Sequence, residues 1–475
     1  MKIPRLRRWP TVLSGLILFL GVGFIVLTSL FLSPLLGLSY PERGLARVAE
    51  RTVRLREAVQ RVPSWERPLH AFCDPSLGTQ EELSQLLEWH RELVRLSKNP
   101  AVLYNLPVIM THAGVLEGES GWLEVLDKQT RNWLARAPHP VPLYGLLLRA
   151  AYFEEPAPQH WAGLLHELLP PDGLRDRLEE RIAHKNGEPT RADAIRKAEH
   201  QAGLRILWRY RLLTALDLAL LVLFGAAGIL FFSRSPEFWR AGPASVPLPW
   251  PAPAGMAVLV RGCALGILLT LAFAFLPFAS HPAWMPFSYL LWTLPILWLA
   301  QRALLRPNHL TLRQELGLAV PLKQWGKLLL FAALGLGADS LGGWLIGSAG
   351  SFLRLPNHWA ESFDADLVFG APVAFWSSLA GIVFVGPFFE ELIFRGFLYG
   401  TLRGRLGMSA ALAVSAGIFS MVHGYGAVGF LTVFWSGVVF AWVYEKSGSL
   451  WPAIAAHGAG NLLYSLNVIA MLRMS

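Results

Sequence analysis

Apolar residues fall along this chain in two patterns. In the first forty residues, and again from about residue 212 onward, they form long runs broken by short polar turns. Between residues 40 and 205 they recur at helical spacing among charges, as in amphipathic helices that bury one face. A helix needs ~20 apolar residues to cross a bilayer. On that measure the runs predict spans at 9–38, 212–232, 255–279, 284–305, 326–350, 372–402, 409–424, 427–445 and 451–472. The predicted fold class is all-α: a polytopic helical membrane protein of about nine transmembrane helices, with an inserted extracytoplasmic helical domain.

Composition sharpens this division. Of 475 residues 53% are hydrophobic and 16% charged, and the mean hydropathy is +0.40. Of the 33 Asp and Glu, 23 lie within residues 40–205, beside 22 Lys and Arg, so the net charge of +9 comes almost wholly from the membrane part. Basic residues there sit at span junctions: Arg234 and Arg240; Arg302, Arg306, Arg313, Lys323 and Lys327; Arg403 and Arg405; and Lys446. All fall on the cytoplasmic side if the first span enters with its N-terminus inside. The outward loop at 351–370 carries Glu361, Asp364 and Asp366 with a single arginine, Arg354. Arg261, near the start of the third span, is the exception. This distribution accounts for the basic balance without a nucleic-acid partner.

Lys2, Arg5, Arg7 and Arg8 precede the first run, which is longer than a secretory h-region and lacks a small-residue cleavage site. Residues 1–39 therefore read as an uncleaved signal anchor, and 40–205 as an extracytoplasmic helical domain open to a protein partner. Residues 206–235 hold the second transmembrane helix, and 236–254, with six prolines, a linker. Residues 255–475 form the C-terminal membrane domain. The expected setting is the lipid bilayer of a bacterial plasma membrane. Within 40–205, NPAVLYNL at 99–106 and HPVPLYGL at 139–146 each follow an amphipathic helix, offset by 40 residues. The period fits stacked hairpins of the tetratricopeptide kind, and it fits equally an irregular helical domain with a chance echo. The two cysteines, Cys73 and Cys263, read as free thiols, since neither has a second cysteine nearby for a zinc pair.

Ionisable groups inside a membrane are costly and each is a functional candidate. Asp217 and Asp339 are read as structural, the first close enough to a basic helix end to reach the interface, the second beside residues that allow close helix packing. PFFEELIFRGF at 387–397 is different. Glu391 and Arg395 are i,i+4 and can pair, whereas Glu390 sits about 100° around the helix with no local partner. Desolvation would raise such a carboxylate toward the range of a general base, and Pro387 can kink the helix to admit water. Two further motifs follow, FSMVH ending in His423 and HGAGN running from His457 to Asn461. At ~1.5 Å of rise per residue, Glu390 and His423 lie ~20 Å, and His457 and Asn461 ~12–18 Å, from their cytoplasmic turns. One carboxylate, two imidazoles and an amide are thus expected at one level.

The order EELIFRG, then F-x-x-x-H, then GSLWPAIAAHGAGN resembles the CPBP family, the CAAX protease and bacteriocin-processing intramembrane endopeptidases, over roughly residues 370–472. The resemblance implies an intramembrane glutamic endopeptidase of the CAAX prenyl protease 2 type, acting on a membrane protein or peptide without a metal or other cofactor. It implies Glu390 as the base that activates water, His423 assisting it, and His457 and Asn461 as oxyanion donors, with Glu391 and Arg395 holding the first helix. A zinc-dependent membrane protease, a non-catalytic scaffold or receptor, and a proton-coupled transporter are the alternatives. The sequence contains no H-E-x-x-H.

Overall fold

The computed structural model describes residues 8–73, 79–97, 121–136, 141–234, 241–244, 246–279, 281–355 and 357–474, and its regular structure is entirely helical. In chain order the principal helices are α1 (Arg8–Phe31), α2 (Pro41–Gln60), α3 (Arg67–Cys73), α4 (Gln80–Leu96), α5 (Gly121–Arg136), α6 (Val141–Tyr152), α7 (Trp161–Leu168), α8 (Gly173–Lys185) and α9 (Pro189–Phe232). There follow α10 (Ala252–Ala274), α11 (Met285–Ala300), α12 (Trp325–Phe352), α13 (Pro372–Ala380), α14 (Gly386–Glu391), α15 (Gly400–Met421), α16 (Ala427–Ser447) and α17 (Trp451–Val468). Lys2, Arg5, Arg7 and Arg240, the 99–106 copy of the echo and part of the proline-rich linker lie outside the described residues. The 139–146 copy is described from Val141 on, where it opens α6. The chain divides into two bodies, one of Met1–Pro34 with Ala215–Val468, the other of Leu35–Thr214 with Ile469–Ser475.

In the membrane body, seven helices among the described residues are long and apolar enough to cross a bilayer. The sequence count of nine differs at two places. One candidate, Pro372–Met421, is 50 residues long and breaks at Gly407, where φ is 72°. Beyond the break the chain returns on itself, so that Phe394 and Phe419 pack ring to ring at 4.9 Å. This candidate therefore holds the two predicted spans 372–402 and 409–424, the second ending early at Met421. The other difference is α17, whose 18 residues carry the polar HGAGN stretch.

Small residues let these helices approach closely. A Cβ on Gly262 of α10 would come within 2.5 Å of Ile296 on α11, and one on Gly342 of α12 within 1.9 Å of Trp435 on α16. The sequence exception, Arg261, has a partner: its guanidinium donates twice to Thr11 Oγ1 on α1, at 3.0 and 2.7 Å. That bond fixes the first helix against α10.

The polar body is built on amphipathic helices. Leu55, Ala58, Ile206, Leu207 and Tyr210 form a buried cluster. A charge network runs through it: Arg54 is bonded to both Glu50 and Glu199, Glu50 also accepts the Gly173 N–H at 3.0 Å, and Arg177 holds Glu57 at 2.7 Å. Buried charges persist where each has such partners.

Candidate active site

The site starts from a backbone defect. In the wide turn Gly381–Val385 the Gly386 N–H reaches back five residues to the Gly381 carbonyl, and Pro387 has no N–H to offer. The Ile382 carbonyl is thereby deprived of both helical donors, the one four residues on and the one five residues on. Asn461 supplies the replacement, its Nδ2 donating to Ile382 O at 2.8 Å. One turn earlier on α17, Gly458 makes the approach possible, since a Cβ there would stand 2.7 Å from the Val383 carbonyl. A buried carbonyl left without a donor costs ~1–3 kcal/mol, so this bond ties α17 to the wide turn.

That docking sets His457 against the two glutamates. Its Nδ1–H donates to Glu391 Oε1 at 2.8 Å, and its Nε2 lies 3.9 Å from Glu390 Oε2. Glu391 Oε1 is also 2.9 Å from Arg395 Nη1. The Glu391 and Arg395 side chains are 0% and 2% exposed, against 22% for Glu390. Of two adjacent carboxylates, one is locked beneath the site and the other faces open space. A second wide turn, Leu392–Tyr399, begins directly after Glu391, so α14 lies between two such distortions of the kind that recur at functional sites.

The F-x-x-x-H motif contributes both of its ends. His423 Nδ1–H donates to Phe419 O at 2.7 Å, which leaves Nε2 as the acceptor nitrogen of the neutral ring. The Phe419 ring lies under the Arg395 guanidinium at 4.1 Å, with Phe440 on another side at 5.4 Å. A desolvated guanidinium over an aromatic face gains ~2 kcal/mol, and Phe440 also stacks on His457 at 5.2 Å. His423 itself lies just past the end of α15, in the turn closed by Gly424 with φ 67°.

Glu390, His423, His457 and Asn461 all line one cavity of about 1570 Å³. Its walls are mostly apolar and include one face of α1, so the first helix, long and apolar enough to cross a membrane, also borders the cavity. Asp217 and Asp339, read from the sequence as structural, line it too. From the loop at 351–370, Glu361 reaches the start of α16, where its carboxylate would meet a Cβ on Gly426 at 2.8 Å. Burial pushes that carboxyl up from its usual range, opposed by the Gly426 N–H.

Two features of the site escape sequence reading. The Ile382 carbonyl is backbone and carries no residue signal. Phe440 lies in an unbroken apolar run, where nothing separates it from other phenylalanines.

With this geometry in hand, comparison with protein families is informative. Residues 372–463 match the family described as Rce1-like, type II CAAX prenyl endopeptidase Rce1-like. The matched segment contains Glu390, Glu391, Arg395, His423, His457 and Asn461, and it bears out the resemblance read from the three motifs. Comparison with curated proteins and with solved structures returns no match.

Proposed function

We propose, from the match of residues 372–463 to the CAAX-type intramembrane proteases, that this integral membrane protein hydrolyses peptide bonds of a membrane protein or peptide with water activated by Glu390. The observation that carries the reading is the inequality of the two glutamates. Glu391 is fully buried and held by Arg395 and His457, while Glu390 is 22% exposed on the cavity wall. Only Glu390 is free to meet water and substrate together.

In this mechanism the Glu390 carboxylate takes a proton from water as the oxygen adds to the scissile carbonyl carbon. The proton then passes to the departing amine as the C–N bond breaks, leaving a carboxylate and an amine. His423, with Nε2 as its acceptor nitrogen, assists in holding the water. His457 Nε2, 3.9 Å from Glu390 Oε2, donates to the oxyanion when the ring carries both protons. Asn461 has a second amide hydrogen beyond the one given to Ile382, and this is the one offered to the oxyanion. The basic residues at the span junctions support a cytoplasmic N-terminus and an outward 40–205 segment.

The test is to compare membrane proteomes of cells carrying the wild-type protein or Glu390→Gln. A membrane protein cut only in the presence of the wild type supports the reading and names the substrate. Identical cleavage patterns, with both proteins present at equal abundance, contradict it.

A further inference from the structure

A water held by Glu390 and His423 has one lone pair left for a donor. It offers two O–H groups and two lone pairs; one O–H goes to the Glu390 carboxylate, the other to His423 Nε2, and one lone pair attacks the carbonyl carbon. His457 and Asn461 serve the oxyanion, so the second lone pair needs a group from elsewhere. Tyr289 lies on α11, outside the three sequence motifs and outside the matched residues 372–463. It is half-buried and lines the cavity together with Glu390 and His423. Its Oη stands 2.9 Å from where a Cβ on Gly386 would be, so the tip of the ring rests against α14 where glycine leaves room. Gly386 and Glu390 are i,i+4 on that helix and share a face. Because the Cα–Cβ bond of a helical residue tilts toward the N-terminus, the Glu390 side chain sets out over the turn that Tyr289 touches. The Tyr289 hydroxyl interacts electrostatically with Glu390, as it does with Tyr425 and Asp364, and no described residue is hydrogen-bonded to it. The Thr293 hydroxyl, one turn on, donates to the Tyr289 backbone carbonyl at 2.8 Å and leaves the phenol untouched.

We propose that Tyr289 is a further catalytic residue, whose O–H donates to the hydrolytic water at Glu390 and so fixes the lone pair that attacks. The inference rests on the reading of Glu390 as the base. No covalent bond is made or broken at the phenol: Glu390 takes the proton from water, and Tyr289 keeps its own throughout. As that proton leaves, negative charge builds on the water oxygen, and a donor already aimed at it stabilises the transition state without reorganisation. A phenol suits this position because it is a neutral donor at pH 7. A Lys or Arg there would pair with Glu390 and hold down its basicity. Tyr425 also interacts electrostatically with Glu390, but it does so with Glu361 too, and its ring lies beside that of His423 at 5.7 Å. Tyr289 is distinguished by its contact at Gly386, one turn from the base.

The experiment reconstitutes the full-length protein in proteoliposomes with a mixed library of quenched fluorescent membrane-protein peptides. The peptide that the wild type cuts fastest is carried into single-turnover cleavage at saturating protein, and into binding measurements, with Tyr289→Phe, which keeps the ring and removes the hydroxyl alone. The rate is expected to fall by ~10- to 100-fold, the range of one hydrogen bond to a charged group, with peptide affinity and unfolding temperature unchanged. Tyr464→Phe, at a cavity tyrosine whose interactions are with Tyr425, Asp364 and Ser362, should keep the wild-type rate. A wild-type rate in Tyr289→Phe, with Glu390→Gln slow, overturns the role of Tyr289 and leaves the glutamate mechanism standing. A fall in peptide affinity or in unfolding temperature without a loss of saturated rate also overturns it, because the hydroxyl would then serve binding or folding. So does a larger loss of rate in Tyr425→Phe than in Tyr289→Phe. Cutting by Glu390→Gln at the wild-type rate overturns the base and the water donor together, as does a wild type that cuts no peptide.

Discussion

His457 donates from Nδ1 to Glu391, at 2.8 Å, and not to Glu390. This bond orders the whole site, because it fixes which imidazole nitrogen faces Glu390 and which carboxylate remains open. It also joins two of the three motifs in one chain of contacts: Arg395 to Glu391, Glu391 to His457, and His457 to the neighbourhood of Glu390. Several consequences can be measured.

Removing one member of the buried Glu391 and Arg395 pair leaves the other charge uncompensated. Breaking such a pair costs ~3–5 kcal/mol. Arg395→Ala and Glu391→Gln are therefore expected to lower membrane abundance and thermal stability in detergent, together with activity. A variant as stable as the wild type would show that the pair does not hold the helix.

The link between Pro387 and Asn461 predicts non-additivity. Asn461→Ala leaves the Ile382 carbonyl without its side-chain donor, at a cost of ~1–3 kcal/mol. Pro387→Ala restores a backbone N–H within helical reach of that carbonyl. In a double-mutant cycle read by thermal unfolding, Pro387→Ala should recover part of the loss caused by Asn461→Ala. Strict additivity of the two changes would refute the orphan-carbonyl account.

Gly458→Ala probes the same contact from α17. The added Cβ would stand 2.7 Å from the Val383 carbonyl, and the backbone at that point cannot give way as a flexible side chain would. Overpacking of this kind costs ~1–3 kcal/mol. The expected result is a lower unfolding temperature and a larger loss of cleavage than Gly417→Ala, where a Cβ meets nothing within 4 Å.

In the polar body, pH sensitivity traces to His90. Its ring is buried on α4 with Nδ1–H donating to Leu86 O at 2.9 Å, and burial pushes it down from 6.5 to about 4. The unfolded chain then takes up a proton below pH 6.5 that the folded ring refuses until about pH 4. The neutral ring's contribution is present above that window and is lost as pH falls through it, ~3 kcal/mol in all. Protection factors of the α4 amides, taken against intrinsic exchange at each pH, should fall between pH 7 and 4.5, and His90→Leu should flatten the dependence. Equal pH slopes in the two proteins would exclude His90 as the source.

How much of this could be read from the sequence follows from the range of each signal. The i,i+4 spacing of Glu391 and Arg395 is local, and so is the spacing that lets His423 bond Phe419, so both were legible. The long apolar runs gave the helices, and the count differs only where a glycine break and a polar ninth helix blur the limits. Asn461 shows where local reading stops: its bond depends on which carbonyl in another helix lacks a donor, a fact created by Pro387 and the wide turn before it. Arg261 shows the same limit, since its partner Thr11 is 250 positions away. The tetratricopeptide echo rests partly on residues outside those described.

The central claim is that Glu390 activates the hydrolytic water. It is tested most directly by single-turnover cleavage of a membrane peptide in proteoliposomes prepared in ¹⁸O-labelled water, wild type against Glu390→Gln. The account predicts one labelled oxygen in the new carboxylate with the wild type, and a rate lower by ~10²–10⁴ in the folded variant, the contribution of a positioned general base. Labelled product formed by Glu390→Gln at the wild-type rate would contradict it.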